Sequence, residues 1–160
     1  MSRRDDLLRL DDAALSALCM WEFFKATGPG GQKRNKTSSA ARARLAEFGL
    51  AAEDCTERSQ LCNRRNALAK LRMRLALEVR ETPAPPLEVP FATSMRHPSY
   101  PLLAARVTDH LEECGWDHRA AAARLGMTPT ALLRKIAADP VWWTLLAARR
   151  RELGLPTLHP

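Results

Sequence analysis

The chain has 160 residues, room for one ordinary domain or two small ones, and its 46% hydrophobic content excludes global disorder. Lys and Arg outnumber Asp and Glu by 25 to 18, a net charge of +7. That balance suits a polyanionic partner, because each neutralised phosphate releases condensed counterions, but it also serves plain solubility. No stretch approaches the ~20 apolar residues of a membrane span, and the leucine-and-charge alternation of residues 1–12 is unlike a signal peptide. Cys19, Cys55, Cys62 and Cys114 form no CxxC pair, which argues against a zinc ribbon or a thioredoxin-like motif. A soluble, cytoplasmic monomer with reduced thiols, no metal and no cofactor is expected.

In chain order, a short helix is predicted from Asp12 to Leu18, with an aspartate as cap. Met20 to Ala26, with Trp21, Phe23 and Phe24, has strand composition. A glycine-rich loop covers residues 27–35. Ala41-Arg42-Ala43-Arg44-Leu45 alternates as a half-exposed strand does, and Phe48-Gly49 turns it into a weaker strand over Leu50 to Thr56. From Asn63 the pattern is helical, with Leu68, Leu71, Leu75 and Val79 on one stripe and Lys70 and Arg74 pointing away. The fold class expected is α+β: residues 1–81 form a short antiparallel sheet with one packed helix.

Six of the eleven prolines fall between Pro83 and Pro101, where neither a helix nor a central strand survives. Residues 82–100 are therefore expected as a semi-rigid linker to a helical module over 101–160. There Leu103, Val107 and Leu111 recur at i+4 spacing, and Gly115 ends the helix. Ala120 to Ile136 reads as a helix-turn-helix resembling the Fis type. Leu125-Gly126-Met127 supplies the turn, Thr128 the cap and Pro129 the first helical position. Ala121, Leu125, Leu132 and Ile136 are assigned to the core, and Thr130, Arg134 and Lys135 to the surface. A last helix runs from Pro140 to Gly154, its Trp142 and Trp143 taken as core.

The most informative residues are Gly28-Pro29-Gly30-Gly31-Gln32-Lys33-Arg34-Asn35-Lys36-Thr37. Adjacent glycines allow positive φ and close approach of backbone to a ligand, and Lys25, Lys33, Arg34 and Lys36 surround them with cations. The loop fits insertion into a phosphate-rich site such as RNA; equally, its own chemistry fits a hairpin with a solvated basic tip. It is neither a dinucleotide fingerprint nor a P-loop, because both GxGxxG and GxxxxGK[ST] are absent.

Gly30-Gly31-Gln32 within Gly-Pro-Gly-Gly-Gln, followed by Asn35-Lys36-Thr37 and Ser39-Ala40-Ala41-Arg42, resembles the GGQ segment of class I peptide-chain release factors. A second block, Glu57-Arg58-Ser59-Gln60-Leu61-Cys62-Asn63-Arg64, resembles the stretch preceding that family's long helix, in the expected order and spacing. The resemblance covers roughly residues 20–80. It implies a loop that enters the ribosomal peptidyl-transferase centre and promotes hydrolysis of peptidyl-tRNA. Gly30, Gly31 and Gln32 are then the catalytic segment, with the Gln32 backbone N–H stabilising developing charge. The resemblance and the positive charge together make Lys25, Lys33, Arg34, Asn35, Lys36, Arg42, Arg58, Gln60, Asn63, Arg64 and Arg65 candidate RNA contacts. Arg134 and Lys135 join them from the helical module. For Arg58 and Asn63, capping of the strand-to-helix junction is an equal reading.

Two departures accompany the match. Lys33 and Arg34 stand where the family places a histidine and an apolar residue, and its Pro-Thr-Gly turn is shortened to Phe48-Gly49. Neither stop-codon tripeptide of the release factors, Pro-x-Thr or Ser-Pro-Phe, occurs. Codon-independent hydrolysis, with ribosome and peptidyl-tRNA as partners, is thus the expected activity. The alternatives are a non-catalytic ribosome- or RNA-binding protein, and a DNA-binding regulator acting through the helix-turn-helix. No Ser/His/Asp or Cys/His arrangement competes, because His97, His110, His118 and His159 all fall outside the N-terminal module.

Overall fold

The computed structural model describes residues 3–25, 38–83 and 87–159. It divides into two compact units, residues 1–79 and 80–160, and each is described by itself.

The first unit begins with a helix the sequence reading did not anticipate, α1 (Arg3–Arg9), followed by α2 (Asp12–Ala17). Asp11 caps α2 by accepting from the Ala14 N–H at 2.7 Å. Three strands follow, β1 (Met20–Phe24), β2 (Ala40–Leu45) and β3 (Leu50–Asp54), in an antiparallel sheet of order β1-β2-β3. A 3-10 turn over Ala46–Phe48 joins β2 to β3, and Gly49 closes it at φ 65°, a left-handed conformation that glycine adopts without a Cβ penalty. β3 stops at Asp54, two residues earlier than expected. Its carboxylate accepts from both the N–H and the hydroxyl of Thr56, which bends the chain away from the sheet.

Helix α3 (Gln60–Glu78) starts three residues before the periodic stripe, because Ser59 caps it by accepting from the Cys62 N–H. It packs on β2 and β3. Ala41, Ala43 and Ala52 are small enough to let its Leu68, Leu71 and Leu75 approach the sheet, and all six are buried. Arg4 and Arg72 are buried as well. Arg4 pairs with Asp5 at 2.7 Å, while Arg72 donates to the Leu8 and Leu10 carbonyls and to Asp12, tying the N-terminal helices to α3.

The second unit holds α4 (Tyr100–Glu113), α5 (His118–Arg124), α6 (Pro129–Ala137) and α7 (Pro140–Glu152). Thr128 accepts from the Ala131 N–H at 3.2 Å and Gly126 turns at φ 66°, so α5 and α6 form the expected helix-turn-helix outline. Leu125 is half-buried, whereas Ala121, Leu132 and Ile136 lie in the core. Trp142 is fully buried, edge-on to Tyr100.

The stretch expected as a spacer is part of this unit where it is described. Val89 is buried, Arg80 pairs with Asp109 at 3.1 Å, Glu88 reaches Arg106, and Thr93 accepts from Lys135. Proline content excluded regular structure there but did not exclude packing, for which Val89 and Phe91 supply the apolar surface.

Candidate nucleic-acid interface

Gly30, Gly31, Gln32, Lys33, Arg34, Asn35 and Lys36 lie outside the described residues. The residues on either side of that segment are described. Phe24 and Lys25 lead into it from β1, and Ser38 and Ser39 lead out of it into β2.

The second motif block is bonded to this exit. Gln60 Nε2 donates to the Ser38 carbonyl at 2.9 Å, and Asn63 Nδ2 donates to the Ser39 carbonyl at 2.7 Å. Asn63 Nδ2 also donates to the Glu57 carbonyl, and its Oδ1 accepts from the Glu57 N–H, both at 2.9 Å. Asn63 is 0% exposed, so as an RNA contact it is corrected: its amide serves the loop exit and the start of α3. Capping was the alternative held open for it, and buried geometry selects it. The same block leaves Arg58 exposed.

Arg42 crosses the outer face of the sheet between two carboxylates, at 3.1 Å from Glu22 and 2.6 Å from Glu53, with its guanidinium 5.0 Å from the centre of the Phe24 ring. The hydrogen bond from Arg44 draws the Glu22 carboxyl below its ordinary range, against desolvation and with help from Arg42. The outer face is therefore largely neutralised by cross-strand pairs, which the alternating Arg spacing of β2 did not disclose.

On the helix side the cations are differently placed. Arg64 and Arg65 are exposed on the first turns of α3. Arg64 donates to the Ser16 hydroxyl at 2.9 Å and lies 4.7 Å over the Trp21 ring. Burial, only partly offset by the positive charge of Arg64, pushes the Cys19 thiol up and keeps it a poor nucleophile.

In the second unit, Arg134 is exposed on α6. Lys135 is corrected as a surface cation. It donates to the Thr93 carbonyl and sits 5.7 Å from both the Phe91 and the Tyr100 ring centres, and burial pulls its pKa down. Phe91 and Thr93 come from the proline-rich stretch, for which only a spacer role was expected, and Tyr100 from the first turn of α4. In α7, Arg149 and Arg151 are exposed, but Arg150 is buried and donates to the Trp116 and Pro156 carbonyls. Burial, reinforced by Arg150, keeps His118 below its ordinary range. Among the described residues no helix is long and apolar enough to cross a membrane, and no group of three or more His, Cys, Asp or Glu is placed to hold a metal.

Comparison with known proteins agrees with this geometry. Residues 15–89 match the RF-1 domain model, and residues 104–138 match that of the bacterial regulatory protein, Fis family. Peptide chain release factor 1 of Salinibacter ruber is 47% identical over 60 residues, which is 38% of this chain and 17% of that protein. Peptide chain release factor 2 of Lactiplantibacillus plantarum is 44% identical over 54 residues, 34% of this chain and 14% of that protein. Peptide chain release factor 1 of Xylella fastidiosa is 36% identical over 99 residues, 58% of this chain and 27% of that protein. The chain thus spans only a minor part of the curated relatives it matches. No solved structure matches it. The sheet, the packed helix α3 and both motif blocks fall within the segment that is similar to the RF-1 domain, and α5 and α6 fall within the segment similar to the Fis family.

Proposed function

We propose that this protein hydrolyses peptidyl-tRNA on the ribosome without reading a codon. The observation that carries the reading is the tie between the two motif blocks. Gln60 and Asn63 of the second block bond the carbonyls of Ser38 and Ser39, at the exit of the segment that holds Gly30-Gly31-Gln32. The similarity to release factors over the same residues supports it.

In this reading Gly30 and Gly31 permit the backbone to approach the tRNA end, and the Gln32 N–H meets the charge that develops as the ester is attacked. A preorganised donor of that kind is worth about 3 kcal/mol. The glutamine side chain is neutral and cannot act as an ordinary general base, so it positions water. Lys25, Lys33, Arg34 and Lys36 around the loop, and Arg58, Arg64 and Arg65 at the start of α3, neutralise RNA phosphates, and Asn35 offers its amide as a neutral hydrogen-bonding contact. The protein acts as a monomer.

The test is release of labelled peptide from purified ribosomes carrying peptidyl-tRNA, with the A-site mRNA empty or filled. Wild type is expected to release in both cases, and Gly31→Ala to lose release at least about 100-fold, the scale of one lost oxyanion donor. Release by Gly31→Ala at the wild-type rate would overturn the assignment. A second reading, binding of duplex DNA through α6, is favoured by the Fis-family match and by exposed Arg134. Preference of the full chain for one duplex sequence by orders of magnitude over random duplex would support it.

A further inference from the structure

Helix α3 packs on β2 and β3, leaving the edge strand β1 beyond its flank. Register puts Trp21 opposite Ala43 and Phe23 opposite Ala41, so both aromatics stand on the helix-facing side of the sheet, where a core would ordinarily cover them. Phe23 is nevertheless 43% exposed. The two rings are nearly parallel, at 9° and 6.3 Å between centres, and stack one against the other as an aromatic shelf whose exposed member is Phe23.

The shelf is fixed from below and flanked by cations. Trp21 Nε1 donates to the Ser16 carbonyl at 3.1 Å, which holds the indole in place. The Arg64 guanidinium lies over the indole, with one N–H group given to Ser16, and keeps further donors for a phosphate or a base edge. Arg65, the next residue of α3, is exposed, and Leu61, 58% exposed, lies one turn earlier on the helix. Glu22 of the same strand is turned to the opposite face and engaged by Arg42 and Arg44, so its charge does not offset the shelf. An exposed aromatic ring edged by arginines matches an unpaired nucleotide, which offers a π-face to stack and a phosphate to neutralise. An apolar protein segment would leave the arginines without counter-charge.

We propose that Trp21, Phe23, Arg64 and Arg65 form a stacking site for an unpaired base of single-stranded RNA, with the arginines on its flanking phosphates. The choice of RNA rests on the ribosomal reading above, but the site itself is tested without ribosomes. The probe is a fluorescently labelled single-stranded RNA of mixed sequence, titrated with the full-length protein by anisotropy, with the blunt duplex of the same sequence as comparison. Phe23→Ala and Phe23→Leu are each expected to weaken single-strand binding about tenfold, since one stacked base is worth about 1–3 kcal/mol. Phe23→Trp should retain binding, and duplex affinity should be unchanged in all three. Arg65→Ala should lower the salt slope by about one. Because Phe23 is well exposed, Leu at this position leaves the fold intact, and a thermal melt verifies it.

Wild-type affinity in Phe23→Leu would overturn the site, since charge and greasiness without a ring would then suffice. Equal loss for single strand and duplex, or a Phe23-dependent self-association with no effect on RNA, would overturn it as well, the latter marking the shelf as a protein contact. Ring-dependent RNA binding in a protein that releases no peptide would sink the hydrolase reading while leaving this site standing.

Discussion

Asn63 shows how one buried side chain couples two distant stretches of chain. Its amide donates twice and accepts once, joining Glu57, three residues before the helix, to Ser39, which precedes Asn63 by 24 residues in sequence. Removing it leaves several backbone groups short of a partner in a dry place, which costs more than the bonds themselves contribute. Asn63→Ala is expected to lower stability by about 2–3 kcal/mol in urea unfolding of the first unit, and Asn63→Asp by a similar amount, because the carboxylate cannot donate to Ser39. An unchanged midpoint in both variants would mean the loop exit is held by other contacts. Gln60, by contrast, is exposed and makes one bond to Ser38, so its loss should barely register in the same titration.

Between elements, the seam of β3 and α3 carries a pH signature. Asp54 is 4% exposed, and that burial alone would push its carboxyl up. Hydrogen bonds from Lys70, Thr56 and Asn66 outweigh it and hold the group at about 2, below the ordinary 3.8. A pKa depressed by folding contributes stability that is complete above the unfolded value and is lost as pH falls through the folded one. The first unit should therefore lose about 2–3 kcal/mol between roughly pH 5 and pH 2 from this group. Lys70→Met should flatten that part of the curve, measured by urea unfolding at a series of pH values. Identical pH profiles for Lys70→Met and wild type would exclude the pair as its source. Helix and strand boundaries belong to this scale too. β2, α3 and the α5–α6 pair follow from alternation, a leucine stripe and a Thr-Pro start, whereas the end of β3 is decided by an Asx-type turn at Asp54.

For the whole chain, the compact units meet at residues 79 and 80, not within the prolines. A cut there is proposed to give two fragments that each unfold cooperatively. A cut after residue 96 removes Val89 from the second unit and strips Arg80 from buried Asp109. Fragment 97–160 should then be less stable than fragment 80–160 by about 3 kcal/mol or more, the scale for breaking a buried ion pair. Equal thermal melts of the two fragments would return residues 80–96 to the role of a spacer.

The chain by itself determined the α+β class of the first unit, the helix-turn-helix outline of the second, and both motif blocks that resemble release factors. These are written in local terms: alternation, i+4 leucines, capping residues and glycine placement each act within a few neighbours. Tertiary structure alone decided that α1 exists, held by Arg4 and Arg72 against α3; that Arg42 is spent on Glu22 and Glu53; that Lys135 contacts Phe91, Thr93 and Tyr100; and that Phe23 remains open while Arg64 lies over half-buried Trp21. The physical reason is the same throughout. A side chain's charge or ring is visible in the sequence, but whether it faces a partner or the solvent depends on groups tens of residues away, brought together by packing.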